Sequence, residues 1–322
     1  MNRLEQFAGA LDAIPPWRGR VPQGYLADFL GVFTDGRFRT MFGVDPDTLA
    51  EREVETRALT IADGEGWFEA VNWVAAAREA RGRFVMVTLG ACYGGPAVAS
   101  CRVLQRLNPL PYRLVAVEPE PENCAWIARH MRTNGIDPDA QWILPCAVSD
   151  RNDPVLFPVG SPGSGAQNCY ATNERASRAL IARELIASGR AAEGLQNLLL
   201  RNTTGMTRDL APGHNFMAEI KLMSAVTLRD VLGPFEFVDY LDSDIQQSEG
   251  IVFPPFLDLL KRKVRRIHIG THGKDVHRSL HELFASDGWE IVFSYEPNAT
   301  HASALGEFTI NDGVLTVRNP TL

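Results

Sequence analysis

Two apolar runs, each stopped in its own way, narrow what this chain can fold into. Arg83-Phe-Val-Met-Val-Thr-Leu-Gly-Ala-Cys-Tyr-Gly-Gly-Pro96 ends in a glycine-rich turn, and Tyr112-Arg-Leu-Val-Ala-Val-Glu-Pro119 ends in a carboxylate. Strand, backbone loop, helix, strand, acid is the order in which a parallel sheet builds a nucleotide-binding crevice. Gly90 and Gly94 let the main chain bend tightly and approach a ligand where a side chain would clash. Glu118, at the tip of the second strand, is placed to accept hydrogen bonds from both hydroxyls of a ribose.

Beyond that core the alternation continues. Helices are expected over Pro96–Leu107 and Pro121–Asn134, the second stopped by Asn134-Gly135, with a third strand over Trp142–Val148. Strands spaced by helices of this length imply right-handed crossovers and a parallel sheet. Residues 159–222 interrupt the pattern with a Gly/Ser-rich start and a helical stretch, read as a lid or acceptor-binding insertion or as an extra pair of scaffold helices. Strands resume at Phe237–Leu241, ending in Asp242-Ser-Asp244, and at Val264–Gly270, ending in Thr271-His272-Gly273. Trp289–Tyr295 and Gly306–Ile310 follow, and Asn311-Asp-Gly313 reads as a hairpin turn joining Gly306–Ile310 to Val314–Arg318. Residues 1–80 form a separate N-terminal extension with helical patterns broken by Pro15-Pro16, Pro22 and Pro46, closing in an apolar-faced helix from Trp67 to Ala80.

Composition excludes some classes. A net charge of -7 argues against a nucleic-acid partner, because phosphate binding needs a basic face. The basic cluster Lys261-Arg-Lys-Val-Arg-Arg266 reads as a solvated helix end. No run of about 18 apolar residues is present to span a membrane, and the first residues lack a signal-peptide pattern. Cys92, Cys101, Cys124, Cys146 and Cys169 are odd in number and never at CxxC spacing, which fits reduced thiols and a cytoplasmic protein.

Two cofactors compete for the glycine loop. A nicotinamide fingerprint reads G-x-G-x-x-G with an acid roughly 20 residues on. Here Gly90-Ala-Cys-Tyr-Gly94 lacks the G-x-G pair, and Glu118 lies 28 positions beyond Gly90. Such a loop offers fewer amides to a pyrophosphate and suits a phosphate-free cofactor such as S-adenosylmethionine.

Leu89-Gly-Ala-Cys-Tyr-Gly94, Ala116-Val-Glu-Pro-Glu-Pro-Glu-Asn123, Asn134-Gly135 and Pro145-Cys-Ala-Val-Ser-Asp150 follow one another at suggestive spacing. Together with Thr227-Leu-Arg-Asp-Val-Leu232 and Val238-Asp-Tyr-Leu-Asp-Ser-Asp-Ile-Gln-Gln-Ser-Glu249, this series resembles the FkbM family of S-adenosylmethionine-dependent methyltransferases. The resemblance covers residues 84–158 and 224–318. It implies an α/β, Rossmann-like seven-stranded sheet, mostly parallel, of order 3-2-1-4-5-7-6 and flanked by helices. It also implies methyl transfer to a hydroxyl oxygen of a sugar, polyketide or similar metabolite. By position, Gly90, Ala91, Cys92, Tyr93 and Gly94 would line the methionyl part, Glu118 would bind the ribose, Pro119 and Asn123 would flank it, and Cys146 with Ala147 would edge the adenine. The family commonly has an acid where Thr88 stands, and Glu65 is a candidate substitute. Asp242 and Gln247 replace its lysine-like and glycine positions.

Methyl transfer from a sulfonium needs alignment and, for an alcohol, a base. Asp244 and His272 close the fourth and fifth strands, where catalytic side chains of such sheets sit. A histidine with its ordinary pKa of roughly 6.5 accepts a proton at neutral pH, and Asp244 would orient it or contact the acceptor. The plainer readings are a loop-bonded histidine and a helix cap. Tyr170, Gln246 and Asn202-Thr-Thr-Gly-Met206 are candidate acceptor contacts, while Gln246 and Glu249 also read as turn supports. A divalent cation on Asp242, Asp244 and His272 is a further option; His277 and His281 at i,i+4 spacing read as a solvated helix face. The rival functions are a nicotinamide-dependent oxidoreductase and a non-catalytic binding module of the same fold. A homodimer through the apolar N-terminal helices is also an expectation.

Overall fold

The structure, a computed structural model, describes residues 3–159, 219–246 and 248–322. Seven strands form its central sheet: β1 (Phe84–Leu89), β2 (Tyr112–Val117), β3 (Trp142–Leu144), β4 (Val238–Ser243), β5 (Val264–Thr271), β6 (Glu290–Tyr295) and β7 (Gly313–Arg318). Their spatial order is β3-β2-β1-β4-β5-β7-β6, parallel except that β7 runs antiparallel to both neighbours. This is the expected Rossmann-like α/β sheet of order 3-2-1-4-5-7-6.

Period-two patterning feeds two cores. Phe84 and Met86 of β1 join Leu114, Ala116 and Tyr240 against helices α1 (Glu65–Glu79), α2 (Gly95–Leu107) and α3 (Pro121–Thr133). Val85, Val87 and Leu89 face the other way, towards Val117, Leu241 and Ile267 and the helices α4 (Leu228–Leu232), α5 (Glu249–Val252), α6 (Leu257–Lys263) and α7 (Lys274–Ser286). All six residues of β1 are buried, as a parallel strand covered on both faces requires.

Three expectations are corrected. The N-terminal extension is α-helical only from Glu65 onward. Before it, Arg18–Val21 pairs with Arg52–Glu55 and Tyr25–Ala27 with Phe33–Asp35, joined by short 3-10 turns. Prolines remove helix donors there, and alternating residues place Arg18 opposite Glu55 and Arg20 opposite Glu53. The third strand stops at Leu144, because Pro145 cannot donate to the ladder; Ala147–Val148 pairs instead with Ala225–Val226. Lastly, Gly306–Ile310 pairs with Ala299–Ser303, so Asn311-Asp-Gly313 delivers β7 to the main sheet and closes no hairpin.

Val155–Val159 and Glu219–Met223 form an antiparallel ribbon that brings the ends of the intervening stretch together. Tyr170 and Asn202–Met206 lie outside the described residues. Among those described, no helix is long and apolar enough to cross a membrane.

Candidate functional site

Above the C-terminal ends of β1, β4 and β5 lies a cavity of about 310 Å³. The Gly90–Tyr93 loop and Pro96 form one side, with Phe38 and Arg39 above them. Asp242–Asp244, His268 and Gly270 form the floor, facing Glu65, Glu69 and Asp312–Val314.

The loop is built by the backbone. Gly90 has φ +73°, and a Cβ there would fall 1.9 Å from the Asp244 carbonyl oxygen. What forbids a side chain is therefore the neighbouring strand end, which is tied in by Asp244 N donating to the Leu89 carbonyl at 2.9 Å. Gly94, φ +80°, starts α2. Cys92 also adopts a left-handed φ of +52°, unusual without a glycine. Its amide donates to Glu118 Oε2 at 2.7 Å, which holds the strained turn.

Glu118 is buried and highly engaged. Oε1 accepts from Glu120 N at 3.0 Å and from Asn123 Nδ2 at 3.2 Å. A carboxylate has about four acceptor positions, so roughly one remains for a ribose hydroxyl, not the two the sequence suggests. Burial raises its pKa to about 7 against those hydrogen bonds. Glu118, Gly94, Pro119, Asn123, Cys146 and Ala147 are not among the cavity-lining residues. Cys146 and Ala147 lie buried beyond β3.

The floor is strongly acidic. Asp242 lies opposite Thr88 in the β1–β4 ladder and accepts from the Tyr240 hydroxyl at 3.1 Å and from Thr88 Oγ1 at 3.4 Å. It thus brings a carboxylate to the place where Thr88 lacks one. Glu65, the candidate substitute, spends Oε1 on the amides of Asn311 (2.5 Å) and Asp312 (3.0 Å) while still lining the cavity. Burial raises Asp242 to about 7, opposed by its hydrogen bond to Tyr240 and assisted by the charge of Asp244. Glu69 is raised well above the usual range by burial and then by the charges of Asp242, Asp244, Glu65 and Asp312.

His272 meets three carboxylates. Nδ1 lies 3.1 Å from Glu249 Oε1, and Nε2 lies 3.3 Å from Asp244 Oδ1 and 3.5 Å from Asp312 Oδ1. Burial alone would lower its pKa. The Glu249 hydrogen bond and the charges of Asp244, Glu249 and Asp312 outweigh burial and raise it to about 9. The carboxylates around it thus favour the protonated ring, which runs against the expectation of a neutral-pH base on His272. Asp244 is 53% exposed, but to the cavity; burial among protein atoms still raises it to about 6, despite the opposing charge of His272. Gln246 is buried, and its Nε2 donates to Asp244 Oδ1 at 3.0 Å.

The expected metal set also changes. Asp242 is held by Tyr240 and Thr88, and among the described residues the ligand atoms within 4.8 Å of one another belong to Asp244, Glu249 and His272. His277 and His281 both bond to Ser294 Oγ, at 3.0 and 2.8 Å, and form no ligand pair.

Sequence reasoning missed Glu69, Asp312, Phe38 and Arg39. Arg39 donates to the Tyr93 hydroxyl at 2.7 Å, and the Phe38 and Tyr93 rings are 4.5 Å apart. The only signal for Glu69 was its place one turn after Glu65 on α1.

No protein-family model matches the chain. A curated relative from Jannaschia sp. (strain CCS1), provisionally named a methyltransferase, is 25% identical over 305 residues, 93% of this chain and 94% of that protein. Weak similarity extends to solved structures. Methyltransferase FkbM from Methylobacillus flagellatus KT has TM-score 0.39 and 10% identity, covering 78% of this chain and 53% of that one. The O-methyltransferase from Bacillus cereus in complex with SAH has TM-score 0.38 and 9% identity, covering 88% and 91%. Precorrin-6y C5,15-methyltransferase from Geobacter metallireducens GS-15 has TM-score 0.38 and 9% identity, covering 77% and 86%.

Proposed function

We propose that this chain is an S-adenosylmethionine-dependent methyltransferase acting on a hydroxyl oxygen of a small metabolite, such as a sugar or polyketide. The observation that carries the reading is the acidic lining of the cavity. Five carboxylate side chains line it (Glu65, Glu69, Asp242, Asp244 and Asp312), beneath a glycine loop at the sheet's switch point. A dinucleotide would bring its pyrophosphate into that field at a Coulombic cost. S-adenosylmethionine carries no phosphate, and its sulfonium and ammonium favour an acidic wall. The volume falls within the range of small-molecule sites, roughly 300–1,000 Å³. The relative spanning nearly the whole chain supports the same reading.

The residues present fit such a ligand. Asp242 and Glu69 would face the cationic groups, Arg39 the methionyl carboxylate, and Glu118 would give its remaining acceptor position to the ribose. When bound, the cofactor supplies an already activated methyl group. The chain's task is then to align an acceptor and take its proton. Asp244, half-exposed at the cavity wall and ionised at neutral pH, receives that proton. Gln246 and the His272 ring hold the Asp244 carboxylate in place. The stretch 159–222 is proposed as the acceptor-binding cover, with Tyr170 among its contacts.

A thermal-shift comparison tests the reading. S-adenosylhomocysteine at a hundredfold excess over its Kd adds about 2.7 kcal/mol and a clear upward shift, whereas reduced nicotinamide dinucleotide leaves the melt unchanged. The reverse pattern would reject the proposal in favour of an oxidoreductase.

A further inference from the structure

The two ring nitrogens of His272 are in opposite situations. The side chain is 1% exposed. Nδ1 faces Glu249 Oε1 at 3.1 Å, and that oxygen also accepts from Ile245 N at 3.0 Å. A carboxylate can only accept, so the proton sits on Nδ1. Among the described residues Nε2 has no hydrogen-bond partner, although Asp244 Oδ1 and Asp312 Oδ1 stand at 3.3 and 3.5 Å. Both of those carboxylates are about half exposed, and both line the cavity. Three carboxylates thus surround the one imidazole.

We infer that Asp244 and His272 Nε2 hold a divalent metal ion at the cavity wall, with Asp312 in reach as a third ligand and Glu249 fixing the imidazole from behind. For metal–ligand distances of about 2.1–2.4 Å, adjacent ligands at right angles lie roughly 3.0–3.4 Å apart. The 3.3 Å between Nε2 and Asp244 Oδ1 falls within that range. Asp312 joins by a side-chain rotation, which its exposure allows. A carboxylate hydrogen-bonded to the far nitrogen of a histidine is the usual device that sets a ligand's tautomer and basicity, and Glu249 has that position. Its own Oε2 is buried without a hydrogen-bond partner among the described residues. One nitrogen and two carboxylates with open positions suit Mg²⁺ or Mn²⁺ and leave room for an acceptor oxygen.

The role of this ion rests on the proposed methyl transfer; its binding does not. A cation there lowers the pKa of a bound acceptor hydroxyl. Asp244 Oδ1 faces the ion and Gln246, leaving Oδ2 for the acceptor's proton.

Electron paramagnetic resonance of free Mn²⁺, titrated with the full-length chain after EDTA treatment and desalting, reads the site without any turnover. The expected result is one Mn²⁺ per chain. Asp244→Asn and His272→Gln each weaken binding at least tenfold, while Glu296→Gln, a surface acid paired with Arg278, changes nothing. No stoichiometric binding up to millimolar Mn²⁺ overturns the inference, as does wild-type affinity in Asp244→Asn. Should His272→Gln fail to fold, the half-exposed Asp244 variant decides alone. A thermal shift with S-adenosylhomocysteine in EDTA separates the two readings. A shift there with no Mn²⁺ binding strikes only the metal site, and Mn²⁺ binding without a shift strikes only the cofactor.

Discussion

The two walls of the cavity are built in different ways. On one, the Gly90 loop comes from a single strand–helix–strand unit, with Glu118 behind it, and is set by the backbone: a positive φ, a strand end in van der Waals conflict with any Cβ, and a carboxylate that ties down the loop amide. On the other, Glu65, Glu69, Asp242, Asp244 and Asp312 arrive from α1, the end of β4 and the turn before β7, with His272 buried behind Asp244. That wall is made of side-chain charges that raise one another's pKa values. A backbone-built wall fails when a residue cannot fit. A charge-built wall fails when the balance of its ionised groups is altered.

The sharpest break of the first wall is Gly90→Ala. With φ at +73° and the Asp244 carbonyl 1.9 Å from the new carbon, strand β1 and β4 must separate. The loss is expected to be about 4 kcal/mol or more in urea unfolding, with ligand binding abolished. On the second wall, Asp244→Asn leaves the fold intact and is expected to lower kcat roughly 10²–10⁴-fold, with S-adenosylhomocysteine affinity changed less than threefold. In the wild type, transfer rises with pH through about 6 as Asp244 ionises, and this limb disappears in the variant.

His272→Gln tests the charge balance directly. The folded pKa of about 9 lies above the ordinary 6.5, so the stabilisation is fully present below pH 6.5 and lost as pH rises towards 9. The variant's deficit in chemical denaturation is then on the order of 3 kcal/mol larger at pH 6 than at pH 9.5. A pH-independent deficit would mean that packing, not charge, holds the ring.

Glu118→Gln is smaller, roughly 10- to 100-fold in S-adenosylhomocysteine affinity, one charged hydrogen bond being worth about 1.5–3 kcal/mol. Wild-type affinity should strengthen as pH rises through about 7, since the ionised carboxylate is the acceptor. Cys146→Ser, beyond β3 and away from the cavity lining, is expected to change affinity less than threefold, and a larger effect would extend the site towards the adenine position.

Legibility from sequence followed the same division. The motif around Gly90 and Glu118 could be read because its residues are close in the chain and each has a stereochemical reason to be there. The alternation of strands and helices gave β1, β2, β4, β5 and β6 within a few residues. It misassigned the partner of Gly306–Ile310, because a turn dipeptide records a reversal but not which strand receives the chain. The N-terminal extension was misread where cross-strand pairing overrode local helical patterns. Asp244 and His272 were found because strand ends are readable, but the protonation of His272 was not: it depends on Glu249 and Asp312, 23 residues before and 40 residues after it. Glu69 and Arg39 carry no motif, and only the fold brings them to the cavity.

Calorimetric titration of the purified wild-type chain with S-adenosylmethionine tests the central claim most directly. One site per chain is predicted, with binding weakened in Glu118→Gln and no competition from reduced nicotinamide dinucleotide. Absence of heat with both S-adenosylmethionine and S-adenosylhomocysteine would contradict it.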